Sequence, residues 1–135
     1  YIIPPMEIYT HTYDEHDSYN HELATELYNL SWNLLDKKAR TEEENDLMLN
    51  TAHASIYHWK ALKSYGNLAA GYLLLSRIYN ELKCCDLSLD YAEKCLDICE
   101  QNDIPKSDFD IKWAYGAVAS AHQSRAEFYK RKYEK

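Results

Sequence analysis

On a helix laid over residues 42–63, Asp46, Asn50, His53 and Tyr57 fall within one narrow sector. A carboxylate, an imidazole and a phenol side by side in a cleft can perform acid–base chemistry. The same four residues also suit a polar surface or a hydrogen-bonded network between helices. His53 and His58 point roughly 140° apart on such a helix, so they cannot share one ion. A second cluster gathers His11, His16 and His21 with Asp14, Glu15 and Asp17. It contains no Glu-x-x-His pair and no His-x-x-x-His spacing that would set two imidazoles on one turn. That cluster reads as a solvated polar arm, and neither a metal nor a cofactor is expected. The chain has no Gly-rich phosphate loop and no recognisable nucleophile motif.

The totals of the 135-residue chain narrow the setting. Only three Gly and three Pro occur, which favours long helices over a β-sandwich or barrel. A formal charge of −7 opposes general affinity for nucleic acid or anionic lipid, because phosphate binding needs a basic surface. The local exception, Arg125 with Lys130, Arg131, Lys132 and Lys135, sits where cations complement the dipole at a helix C-terminus. The longest apolar run, Leu73 to Leu75, is far too short to span a bilayer. Cys84 and Cys85 are adjacent, and Cys95 and Cys99 lie one helical turn apart. This is not a zinc pattern, and it fits reduced packing residues in a cytoplasmic protein.

These side chains need elements to hold them, and the periodicity predicts five helices. Residues 1–18 read as an extended arm and 19–135 as one helical domain. The first helix, 21–38, carries a stripe of Leu23, Leu27, Leu30 and Leu34, widened by Tyr28, Trp32 and Leu35. Thr41 and Glu44 form a capping box that opens the second, whose Met48, Ala52, Ser55, Trp59 and Leu62 share a face. The third, 67–82, should bury Leu68, Tyr72, Leu75, Ile78, Tyr79 and Leu82. Asp86 is the expected cap of the fourth, and Ser107 with Asp110 the expected capping box of the fifth. Along the fifth, Tyr115, Val118, His122 and Tyr129 form an apolar stripe, with His122 as a core histidine. Short linkers predict antiparallel neighbours.

Residues 72–98 resemble one tetratricopeptide repeat. Tyr72, Leu75, Ser76 and Tyr79 stand where that motif has its bulky, Leu, small and Tyr positions, and Leu82 stands at the turn. Ser88, Ala92, Cys95 and Leu96 occupy the crossing on the second helix. Small residues there let the opposite aromatic lie flat between backbones. The turn position usually held by Gly is Lys83, and no Pro closes the unit. Tyr115, Val118, Ala119 and His122 repeat the first-helix pattern about nine residues late, without room in these 135 residues for a full partner helix. The stretch 52–59, AHASIYHW, followed by the repeat, is similar to a group of uncharacterised bacterial helical-repeat proteins, from which no activity carries over.

The resemblance implies an all-α fold of stacked antiparallel hairpins in a short superhelix. It also implies a groove lined by the first helix of each unit: Ala70, Leu73, Arg77, Asn80 and Glu81, then Trp113, Gly116, Ser120, Gln123 and Ser124. The third helix's wheel independently sets Leu73, Arg77, Asn80 and Glu81 opposite its apolar stripe. The basic-and-Asn carboxylate clamp of chaperone-binding repeats is not reproduced. The expected function is therefore non-enzymatic binding of a protein or peptide, as an adaptor or scaffold. The alternative is a small-molecule regulator or enzyme using the polar sector around His53. A homodimer through a terminal helix would cover a poorly capped end of so short an array.

Overall fold

The structure is a computed structural model and describes residues 13–134. Five helices follow one another: α1 (Tyr13–Leu35), α2 (Glu42–Ala61), α3 (Tyr65–Glu81), α4 (Cys85–Gln101) and α5 (Ile111–Glu134). No strand occurs among the described residues. α1 packs on α2 and α3 packs on α4, while α3 also touches α2, α5 and α1 and so forms the middle of the stack. The first helix begins at Tyr13, earlier than the arm boundary expected at residue 18, and it ends at Leu35. Residues 1–12 of that arm lie outside the described residues.

Local chemistry sets the ends. At α2, the Glu44 N–H donates to Thr41 Oγ1 and the Thr41 N–H to Glu44 Oε1, both at 3.1 Å, which completes the expected capping box. α2 and α3 stop in the same way. Lys63 (φ 53°) and Lys83 (φ 65°) enter the left-handed region, where a side chain costs energy that glycine avoids. Ser64 N–H then bonds Trp59 O at 3.1 Å and Cys84 N–H bonds Tyr79 O at 2.8 Å. Each closes the last turn, and the turn position usually given to Gly is filled by Lys both times.

Two expected caps need correction. α4 starts at Cys85 with Cys84 as its N-cap, so Asp86 lies inside the first turn. There it accepts from Arg125 Nε at 2.7 Å and Tyr129 Oη at 3.0 Å, tying α5 to α4. At α5, Asp110 caps alone: its Oδ1 accepts the Lys112 N–H at 3.0 Å, while Ser107 sits in the preceding turn.

The core runs through α2 and α3, with Met48, Ala52, Trp59, Leu68, Leu74, Leu75 and Ile78 buried. Helix crossings are made by small and hydroxyl residues rather than leucines. At the α1–α2 crossing Ser31 Oγ lies 2.6 Å from Thr51 Oγ1, and Ser55 Oγ donates to Ala24 O at 2.8 Å. Ala24 and Ser31 are accordingly buried on α1, whereas Leu30 of the expected leucine stripe is exposed. Close backbone approach leaves Leu30 outside the interface, while Leu34 of the same stripe is buried in the core. α5 shows the same inversion. It buries Ala114 and Ala121, while Tyr115, His122 and Tyr129 are exposed. His122 is not a core residue.

Candidate functional site

The residues expected to line a groove converge between α3 and α5. Leu73, Arg77 and Asn80 on α3 face Trp113, Gly116 and Ser120 on α5 across an open chamber of about 360 Å³. Their helical spacing accounts for this. Positions three, four and seven apart share a helix face, so the face of α3 opposite Leu75 and Ile78 is turned to α5. Among the described residues the charged side chains on the chamber wall are Arg77 and Lys112. Lys112 Nζ lies 3.8 Å from Asp110 Oδ2 and keeps most of its surface in solvent.

The chamber continues at both ends. Toward α1, Tyr28, Trp32, Trp59 and Ala70 join Leu73, Arg77 and Trp113 around a second space of about 460 Å³. The Arg77 guanidinium lies over Trp32, 5.5 Å from the ring centroid, an arrangement that fixes a cation on an aromatic face. Trp113 is 51% exposed and meets Phe109 edge-on at 5.3 Å, so its remaining surface is open to the groove. Toward the C-terminus of α5, Asn80, Glu81 and Ser124 line a smaller space of about 200 Å³ with Lys83, Phe128 and Arg131. Glu81 is engaged within the fold, since Arg40 Nη2 reaches its Oε1 at 3.2 Å. Gln123 is exposed and lines none of these three spaces.

The polar sector of α2 is arranged differently. Asp46, Asn50 and Tyr57 are exposed, and none of them hydrogen-bonds His53 among the described residues. His53 Nε2 instead lies 2.9 Å from Tyr79 Oη on α3 and edge-on to Tyr91 of α4, at 5.7 Å between centroids. Tyr79 and Tyr91 stack at 5.4 Å and 14°. Partial burial lowers the His53 pKa from its ordinary 6.5 and raises both phenols above theirs. Imidazole and phenols thus join α2, α3 and α4.

Two further histidines and one cysteine are held in packing contacts. His58 Nδ1 lies 2.8 Å from Asn20 Oδ1, and His21 meets Trp59 edge-on at 5.2 Å. His11 and the side chains at positions 14–16 of the N-terminal cluster lie outside those described. Among the described residues no group of three or more His, Cys, Asp or Glu is placed to hold a metal ion. Burial pushes the Cys95 thiol up to about 12, which makes it a packing residue rather than a nucleophile. No helix among the described residues is long and apolar enough to cross a membrane.

No family model, curated protein or solved structure matches the chain. The site therefore stands on its own geometry. Sequence reasoning did not place Trp32, Phe109, Lys112 or Phe128 in the groove. Trp32 lies on α1, and its position under Arg77 depends on how the first hairpin stacks on the second. Lys112 carried a findable signal: it is the residue next to Trp113, on the turn that Asp110 caps.

Proposed function

We propose that this protein is a peptide-binding module, a short tetratricopeptide-like stack of hairpins whose face between α3 and α5 receives an extended segment of another protein. The observation that carries this reading is the convergence of Leu73, Arg77, Asn80, Trp113 and Ser120 on one open chamber. All five follow from repeat positions and helix periodicity alone. Trp32 lies under the Arg77 guanidinium, and the half-exposed Trp113 lines the same space. Aromatic and arginine side chains in such settings dominate binding energies in protein interfaces. Asn80 and Ser120 add hydrogen-bonding groups able to meet a peptide backbone. Among the described residues the central chamber is lined by no histidine, cysteine or carboxylate; Cys85, Glu81, Asp108 and Glu127 lie in the end spaces.

The test is selection from a displayed peptide library on the full chain, repeated on Arg77→Glu and Gly116→Trp. A Cβ at Gly116 meets nothing within 4 Å on the chamber wall, so Trp there is chosen to obstruct the chamber, with circular dichroism verifying folding. The reading expects a peptide consensus from the wild type and its loss from both folded variants. No enriched peptide, or the same peptides from all three proteins, would sink it.

A further inference from the structure

A second surface lies on the opposite side of α5. Tyr115, Ala119, His122, Ala126, Tyr129 and Tyr133 follow one another at spacings of four and three, the pattern that keeps one seam facing a neighbouring helix. All six are exposed, Tyr115 at 53% and Tyr133 at 91%. None carries a fixed charge. Ala119 and Ala126 interrupt the aromatics with small residues, the type that α4 buries at Ser88, Ala92 and Cys95.

Beside this seam stands a wall of one sign. Asp86, Asp90, Glu93, Asp97 and Glu100 occupy a sector of roughly 80° around α4 at its 3.6-residue period. Asp86 marks the direction of that sector, because its carboxylate holds Arg125 and Tyr129 of α5. The two helices run antiparallel, so Asp97 and Glu100 stand alongside the half of α5 that bears Tyr115 and Ala119. Asp90, Glu93, Asp97 and Glu100 form no ion pair among the described residues.

We propose that this trough, an uncharged floor on α5 and an acidic wall on α4, docks a basic amphipathic helix of a partner protein. Its apolar stripe would lie on Ala119 and Ala126, with its lysines or arginines flanking α4. Charge decides the occupant. In a two-fold antiparallel pairing of α5 with a second copy, the acidic faces of two α4 helices would abut and repel.

Two labelled synthetic helices with the same Leu/Ala seam, one flanked by lysines and one by glutamates, test this by fluorescence anisotropy on the full chain. The lysine helix should bind and the glutamate helix should bind at least about tenfold more weakly, with added salt narrowing the gap. Ala126→Arg, and separately Asp97→Lys with Glu100→Lys, should each weaken the lysine helix by at least about tenfold. All three positions are exposed on helices, and circular dichroism verifies folding. Arg77→Glu, on the groove side, should leave this binding unchanged. No binding of the lysine helix, equal binding of both, or indifference to Ala126→Arg overturns the proposal. So does sedimentation showing a wild-type dimer that Ala126→Arg dissociates, because a second copy would then hold the seam.

Discussion

Ser76 and Ser88 hold α3 and α4 together by reciprocity. Ser76 Oγ donates to Ser88 O and Ser88 Oγ donates to Ser76 O, each at 2.8 Å, in a buried crossing. A larger pair of side chains would separate the backbones, and a pair without hydroxyls would remove both interhelical bonds, leaving each carbonyl only its own helix's N–H partner. Replacing either serine with alanine should cost about 0.5–1.5 kcal/mol, the usual net contribution of an intramolecular hydrogen bond. The double variant should cost less than the sum of the two, because each hydroxyl also lies within 3.2 Å of the other. Urea unfolding of the three variants measures this. Strict additivity would show that the two bonds act independently.

Lys63 and Lys83 repeat one device twenty positions apart. Each follows a leucine, takes a positive φ and lets the next residue close the preceding helix. Glycine adopts that conformation without the Cβ penalty. Lys63→Gly and Lys83→Gly should each raise stability by about 0.5–1 kcal/mol, less what glycine adds to unfolded-chain entropy. Thermal melts of the single and double variants check the sign. A drop in both would mean that the lysine side chains make contacts that outweigh the backbone strain.

What the sequence disclosed and what it hid divide along a physical line. The Thr41–Glu44 box was legible because its bonds are closed within four residues. Arg77 and Trp113 could be set toward one chamber between α3 and α5 because repeat position places them there. The exposure of Leu30, Tyr115 and His122 was not. Each lies on an apolar stripe, yet small residues such as Ala24, Ala114 and Ala121 set the crossings, and only tertiary packing chooses between two plausible faces. Asp86 was misread for a related reason. A carboxylate near a helix start suits a cap, and its actual partners, Arg125 and Tyr129, lie some forty residues away. Trp32 beneath Arg77 depends on hairpin stacking in the same way.

The glycines of α3 and α5 should respond in opposite senses. A Cβ on Gly71 would stand 2.9 Å from Ile56 Cγ1, where α2 and α3 pack, whereas a Cβ on Gly116 meets nothing within 4 Å. Gly71→Ala should lose stability despite better helix propensity, since overpacking costs about 1–3 kcal/mol. Gly116→Ala should gain about 0.5–1 kcal/mol from propensity alone. Denaturant midpoints of the two variants decide the matter, and a gain at Gly71 would show that Ile56 can step aside.

His53 gives the fold a pH dependence of defined sign. Burial holds its pKa below the ordinary 6.5, so the folded protein binds the proton less readily than the unfolded chain. The stabilising contribution is fully present above 6.5 and is lost as pH falls through that value toward the folded pKa. Protonation also removes the Nε2 lone pair that can accept from Tyr79 Oη. Stability should decline as pH falls below the ordinary 6.5, and His53→Gln should flatten the decline. An unchanged slope in that variant would assign the decline to other groups.

The attachment of α5 rests in part on Asp86, whose carboxylate Arg125 and then Tyr129 hold below its ordinary 3.8. Asp86 and Arg125 are both well exposed, which makes the pair a local tether rather than a large share of global stability. Asp86→Ala should therefore leave the melting temperature nearly unchanged. Amide exchange should rise in residues 121–134, where α5 extends beyond its buried Ala114 and Ala121. High salt should act in the same direction by screening the ion pair. In the wild type, acid should reproduce the effect. The tether is intact above the unfolded value of 3.8 and is lost as pH falls from there through the lower folded value. Hydrogen exchange followed by mass spectrometry separates this from general unfolding, because α2 and α3 should keep their protection throughout. Equal protection of α5 in wild type and Asp86→Ala would show that the alanine contacts alone hold it.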